Sequence, residues 1–208
     1  MTTFPRTSLT FALLVVALLV AAPAAPAACG ASVRSLQERL AAGGYPSGPR
    51  DGCSGEATTA AVLAFQRAQG LRADGIAGPA TRRALRAPRP VRAMSAGGGD
   101  RVEIDLARQL LLRVRRGRVA SVYAISSGGP GFATPRGNFP VMRKERRSWS
   151  FEYRVVLPYA SYFTSNGIAV HAGDVSRPRA SHGCVRVAAA VAAAVYSAMP
   201  TGSRVVVR

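Results

Sequence analysis

The apolar residues of this chain change their period once, and the two sides of that change cannot belong to one kind of element. In the first region they recur every three or four positions, as Val33, Leu36 and Leu40, then Ala57, Ala61, Phe65 and Ala68. That spacing draws a stripe along one face of a helix. Beyond residue 99 the period falls to two, in Val102, Ile104 and Leu106, in Leu110, Leu112 and Val114, and in Phe151, Tyr153, Val155 and Leu157. Such alternation turns one face of a strand inward. Residues 88–99 carry Pro, Arg, Ala and Gly without an apolar period and read as a linker. The expected class is therefore α+β and multidomain, with a small three-helix module over 28–87, a linker over 88–99 and a mostly-β domain over 100–208.

Within the first region a motif repeats. Asp51-Gly52-Cys53-Ser54-Gly55 returns 23 positions later as Asp74-Gly75-Ile76-Ala77-Gly78, and a helical stretch follows each copy. An Asp-Gly pair is a turn signal, and Pro79 falls in a helix first turn, where the missing N–H costs nothing. An earlier helix is expected after Ser32 as N-cap, ending at Gly43-Gly44. In the second region Arg116-Gly117 can turn the chain into a strand over 119–126, and the apolar run Ile168-Ala169-Val170 leads directly into His171. One helix is expected over about 188–199, stopped by Pro200 and Gly202, and a final strand over 205–207.

Residues 1–27 have the makings of an export signal: a basic Arg6, an apolar run over 11–20 and small residues at Ala25-Pro26-Ala27. An uncleaved anchor is the alternative, against which Pro23 and Pro26 count. Export makes three cysteines informative, because outside the cytoplasm thiols tend to pair. Cys29 with Cys53 would close a loop in the helical module, leaving Cys184 as the spare thiol; lipidation of Cys29 is the competing fate. The net charge of +18 is spread over both regions, with eight arginines against four acidic residues in 28–87 and seventeen basic against six acidic in 100–208. In an exported chain such charge suits anionic envelope polymers or lipid headgroups rather than nucleic acid, while a plainly solvated surface needs no partner.

The only histidines, His171 and His182, share one stretch with Cys184: His171-Ala172-Gly173, then Ser181-His182-Gly183-Cys184-Val185-Arg186. A thiol needs a nearby base or positive feature to act as a nucleophile at neutral pH. In this reading Cys184 attacks a carbonyl and His171 takes its proton and later delivers it to a leaving amine. Backbone N–H groups at His182, Gly183 and Cys184 would hold the oxyanion. A third group should orient His171 through its other ring nitrogen; no Asp or Asn is obviously placed for this, and a backbone carbonyl, such as that of Ala172, is one that can do it. His182 reads first as a support of the turn that presents Cys184, with direct proton transfer as the alternative. Tyr153, Tyr159 and Tyr162 can line a groove, although alternation favours a core place for Tyr153. Trp149, among Arg143, Lys144, Arg146 and Arg147, suits either a basic lid or an exposed loop.

Two resemblances sharpen this. Leu36-Gln37, Gly44-Tyr45, Asp51-Gly52, Gly55, Thr58, Ala61-Val62, Phe65-Gln66, Gly70-Leu71 and Asp74-Gly75 resemble the pattern of peptidoglycan-binding modules, departing from it at Cys53. His171 with its small residue and Gly, followed by Ser181-His182-Gly183-Cys184-Val185-Arg186, resembles the catalytic motif of L,D-transpeptidases of the YkuD type. Ser126-Ser127-Gly128, residues Thr134 to Phe139 and Asn166 to His171 extend that match. The resemblance implies a β-sandwich-like catalytic domain, Cys184 as nucleophile, His171 as proton carrier, and Arg186 near the substrate carboxylates. Ser181, His182, Gly183 and Ala172 would support the site, with Thr134 and Gly137 grouped among substrate-binding residues, although Thr134, Gly137 and Phe139 read more readily as shaping a β-turn and its core contact. The implied substrate is the peptide stem of peptidoglycan, joined into three-to-three cross-links by a monomer in the periplasm or cell wall, without metal or organic cofactor. Contact with the membrane would require an uncleaved signal or a lipidated Cys29. Three rivals stand beside this: a carboxypeptidase or endopeptidase using water on the same site, a zinc site at His171, His182 and Cys184 that lacks a fourth ligand, and a non-catalytic wall-binding protein.

Overall fold

A computed structural model describes residues 29–208. The expected export signal over 1–27 lies outside the described residues. Three helices come first: α1 (Ala31–Ala42), α2 (Glu56–Gln69) and α3 (Pro79–Ala84). Helix α1 starts one residue ahead of Ser32, with Gly30 at its N-cap and no side-chain cap, so Ser32 does not have the role expected of it. Leu36 and Leu40 face the core, whereas Val33 is only half-buried. Helix α2 is closed by Gly70 in the left-handed conformation (φ 69°). Its residues from Ala60 to Gln66 are all buried, so it is the central helix, covered on more than the one face its spacing shows.

The repeated Asp-Gly turns have a shared physical cause. The Gln37 amide donates to Asp51 Oδ1, Cys53 O and Thr58 Oγ1, while Gly52 N–H donates to its Oε1. Gln66 does the same to Asp74 Oδ1, Ile76 O and Thr81 Oγ1, with Gly75 N–H on its Oε1. Both glutamines are 1% exposed, and a buried amide needs such partners. Each copy of the repeat is thus a turn read by a glutamine from the preceding helix. Cys29 and Cys53 are joined by a disulfide, so the Cys29 sulfur is not available for lipidation.

Nine strands follow: β1 (Arg101–Asp105), β2 (Leu110–Arg115), β3 (Arg118–Ser126), β4 (Gly137–Pro140), β5 (Arg143–Ser150), β6 (Val155–Tyr162), β7 (Ala169–Ala172), β8 (Val185–Val187) and β9 (Arg204–Val207). Helix α4 (Ala189–Ser197) precedes β9. The strands form a curled sheet in the order β4-β9-β1-β2-β3-β8-β7-β6-β5. Only β1 with β9 and β7 with β8 run parallel. The two halves are joined by the short β3–β8 ladder, Ile125 with Val187 and Ser126 with Arg186.

Two local readings are corrected. The alternation from Phe151 to Leu157 is not one strand: β5 and β6 form a hairpin whose turn is residues 151–154. Phe151 is 87% exposed and Tyr153 39%, so Tyr153 is not a core residue. Residues 88–99 have no regular structure, yet they are fastened rather than loose. The fully buried Glu103 accepts from the N–H groups of Met94 and Ser95 and from Arg101, whose guanidinium also donates to the carbonyls of Ser95, Gly97 and Gly99. Val91, Ala93 and Met94 pack against a core shared by helices and sheet.

Candidate active site

His171 lies inside β7 and Cys184 immediately precedes β8, its parallel neighbour. The register pairs Val170 with Val185 and His171 with Arg186. Because side chains alternate along strands, His171, Arg186, Ala169 and Cys184 share one face. Cys184, one residue before β8, is then diagonally across from His171. Both line a cavity of about 710 Å³ whose other walls include Arg186, Tyr153, Tyr162 and Gly167.

The imidazole has a defined state. His171 is 6% exposed, and its Nδ1 lies 2.7 Å from the Ala172 carbonyl oxygen. A carbonyl only accepts, so Nδ1 carries the proton and Nε2 presents a lone pair. Burial pushes the His171 pKa down, the Ala172 bond opposes this, and the nearby Arg186 guanidinium adds to the fall. Burial pushes the Cys184 thiol up, against the Ala169 N–H and Arg186, which favour the thiolate; Glu152 adds to the rise. Sγ also lies 3.9 Å from the Gly167 carbonyl oxygen. Both groups are therefore held toward their neutral forms: a protonated thiol and, in the same cavity, a base with a free lone pair.

The turn carrying Cys184 is braced from behind. The Ser181 hydroxyl donates to the Cys184 carbonyl and accepts from Gly183 N–H at 3.2 Å. Ser181 N–H reaches Ser127 O at 3.1 Å, and Gly129 N–H reaches Ser181 O at 2.9 Å. Thr134 is 4% exposed; its hydroxyl donates to Gly183 O at 2.7 Å and accepts from Gly128 N–H at 2.9 Å. Neither Thr134 nor Gly137 borders the cavity, so their grouping with substrate-binding residues is corrected. Thr134 holds the nucleophile turn, and Gly137 pairs with Val207 near the far edge of the sheet. With Gly183 N–H occupied by Ser181, the amides of His182 and Cys184 are the remaining oxyanion candidates.

Two glycines explain their places in the motifs. Gly183 has φ 110°, and a Cβ there would stand 2.6 Å from Ile168 Cδ1. A Cβ on Gly173 would stand 2.9 Å from Arg186 Cδ, so this glycine makes room for the arginine stem beside the cavity. His182 is exposed and packed between aromatic rings, stacked on Tyr153 at 4.6 Å and edge-on to Phe132 at 4.5 Å. That arrangement joins the nucleophile turn to the tip of the β5–β6 hairpin. Among the described residues no cluster of three or more His, Cys, Asp or Glu side chains is gathered for a metal. Tyr162 lines the cavity with its hydroxyl 2.7 Å from Ser148 Oγ, while Tyr159 turns toward Tyr196 of α4. Sequence reasoning missed the Ala169 amide and the Phe132 ring, which carry no motif of their own, while Tyr153 takes the groove-lining place that its alternation argued against.

Comparison with known proteins places this geometry. The family model for the YkuD L,D-transpeptidase catalytic domain matches residues 99–207, and that for a peptidoglycan-binding domain matches residues 29–85. The solved structure of an L,D-transpeptidase from Xylanimonas cellulosilytica is 37% identical, with a TM-score of 0.79, covering 89% of this chain and 99% of that one. Another, from Stackebrandtia nassauensis, is 29% identical with a TM-score of 0.53, covering 89% of this chain and 97% of that one. Among curated proteins, the zinc D-Ala-D-Ala carboxypeptidase of Streptomyces albus G is 59% identical over 56 residues, 25% of this chain and 21% of that protein. The N-acetylmuramoyl-L-alanine amidase CwlL of Bacillus licheniformis is 45% identical over 62 residues, 29% of this chain and 17% of that protein. The matches thus span about a fifth of the length of these curated relatives.

Proposed function

The chain belongs to the YkuD family of L,D-transpeptidase catalytic domains, here preceded by a peptidoglycan-binding module, and from that premise we propose that it forms three-to-three cross-links between peptidoglycan stems through an acyl-enzyme on Cys184. The observation that carries this reading is the placement of a free thiol and a tautomerically fixed imidazole on one face of adjacent parallel strands, opening into one cavity.

The chemistry follows from the neutral pair. As Cys184 Sγ attacks the carbonyl carbon of the third stem residue, its proton passes to His171 Nε2, and the oxyanion is held by the His182 and Cys184 amides. The tetrahedral intermediate collapses by breaking the bond to the terminal D-alanine nitrogen, which takes the proton from Nε2 and leaves as an amine. A side-chain amine of a second stem then attacks the thioester, giving its proton to Nε2. The C–S bond breaks, and the sulfur recovers that proton as the thiol. Arg186, a cationic wall of the cavity, serves a stem carboxylate. The helical module holds the wall polymer, and the Cys29–Cys53 bridge suits an oxidising compartment outside the cytoplasm.

The test is incubation of the pure full chain with tetrapeptide stems, reading products by mass. Cross-linked dimer and released D-alanine are expected, with an acyl adduct on Cys184 that is lost in Cys184→Ala. Free tripeptide in place of dimer would assign the site to hydrolysis. Stem turnover by Cys184→Ala at the wild-type rate would end the nucleophile assignment.

A further inference from the structure

Arg67 stands in the last turn of α2, within the wall-binding module, yet every carbonyl that it grips belongs to the other domain. One guanidinium nitrogen donates to Gln109 O at 3.2 Å and Ile125 O at 2.6 Å, and the other terminal nitrogen donates to Val175 O at 3.0 Å. Burial pushes its pKa down to about 10, which leaves it cationic at neutral pH. These three carbonyls come from the β1–β2 turn, from β3 and from the segment just after β7.

Each grip leads to the candidate catalytic pair. Val175 lies three residues beyond Ala172, whose carbonyl fixes the His171 tautomer, and the intervening Gly173 is tied to Val187 O at 2.8 Å. Ile125 and the following Ser126 make the only pairs between β3 and β8. Ser127 then receives Ser181 N–H, and the Ser181 hydroxyl holds the Cys184 carbonyl. Gln109 supports the same run, since its side chain accepts from Ser127 N–H at 3.0 Å and from Arg179 N–H at 3.2 Å. One side chain thus stands behind both arms of the site.

We propose that Arg67 is a positioning residue for the Cys184–His171 pair, so that the wall-binding module is a structural part of the catalytic centre and not only a tether. The inference rests on the reading of His171 and Cys184 as the reacting pair. An ordinary anchor between packed domains would contribute stability alone. Arg67 instead sets the segment that orients an imidazole, and misplacements of about 1 Å in such supports can cost about a hundredfold in rate.

The experiment uses the full chain as wild type, Arg67→Met, Arg67→Lys and, as a control for general destabilisation, Leu36→Ala in the module core. The first readout is the ¹⁵N spectrum of His171, which reports its Nδ1–H tautomer whether or not the ring moves protons. The second is the rate of Cys184 acylation by a tetrapeptide stem, with kcat and KM separated. In Arg67→Met the tautomer signal becomes mixed and kcat falls at least about tenfold with KM within about threefold, on the positional sensitivity just cited. Arg67→Lys, with a shorter and unforked cation, recovers part of both. Leu36→Ala lowers the melting temperature and leaves the tautomer intact. The proposal is overturned if Arg67→Met, or Arg67→Lys should the former not fold, keeps one tautomer and the wild-type kcat. If His171→Gln acylates at the wild-type rate, the base assignment fails instead, and the tautomer readout still decides the role of Arg67.

Discussion

At the scale of single residues, the site is set by what burial does to two ionisable groups. With the His171 pKa pushed down and the Cys184 pKa pushed up, the reactive neutral pair is populated between them. The acid limb of kcat/KM should therefore fall below the ordinary imidazole value of about 6.5 and the alkaline limb above the ordinary thiol value of about 8.5. An acid limb at or above the ordinary imidazole value would mean that burial does not hold His171 toward its neutral form. Thr134 offers a second test. Its hydroxyl spans Gly128 N–H and Gly183 O, so Thr134→Val leaves both groups unpaired at a cost of about 1–3 kcal/mol. A positioning role predicts a fall in kcat at nearly constant KM in stem turnover. A rise in KM alone would return Thr134 to the substrate-binding set. The residue types of the site were legible because the chemistry needs a thiol and an imidazole and the chain holds few of either. Thr134 also read as a residue that shapes a turn, but its acceptor at Gly183 O was not legible, because the two are 49 positions apart.

Among the elements, the strand that carries His171 was foreseeable, whereas β8, which follows Cys184, and the hairpin beside them were not. Residues Ile168 to Val170 form an apolar run short enough to suit an interior strand, and β7 begins at its second residue, Ala169, with all four of its own residues buried. Phe151 and Tyr153 obey the same alternation as Val155 and Leu157, but they stand in the hairpin turn, where large apolar side chains are exposed. Periodicity counts side chains and cannot tell a core from a surface that waits for a ligand. The stack of Tyr153 on His182 brings that turn against the nucleophile segment beside the cavity. Tyr153→Ser should raise KM for stem peptides several-fold and change the stability by no more than the roughly 0.5 kcal/mol typical of exposed sites. Kinetic titration with a thermal melt checks both. An unchanged KM would make the stack a surface contact without a part in binding.

For the whole molecule, the question is whether the two matched families make two folding units or one. Arg67 fastens one end of α2 to the sheet, and at the other end the Glu56 carboxylate accepts from the N–H groups of Ala189 and Ala190, at 2.9 and 3.1 Å, at the start of α4. There it meets unpaired amides and the positive end of the helix dipole. Between these ends Ala60 and Ala61 border Val122, Tyr123 and Ala124 of β3 and Val191 of α4, and Val122 N–H donates to Gly44 O at 2.8 Å. None of this was legible in the sequence: Glu56 and Ala189 are 133 positions apart, and Arg67 has the look of an ordinary solvated charge on a helix. A fragment of residues 88–208 would leave the carbonyls of Gln109, Ile125 and Val175 without the arginine and bare the apolar patch around Val122 and Val191. Each lost partner of a buried polar group costs about 1–3 kcal/mol, against a total stability of only about 5–15 kcal/mol. The fragment should therefore fail to show a cooperative melt, whereas the full chain unfolds in one calorimetric transition. Two transitions in the full chain, or a fragment that melts cooperatively near the same temperature, would show instead that the sheet domain stands alone and that α2 merely rests on it.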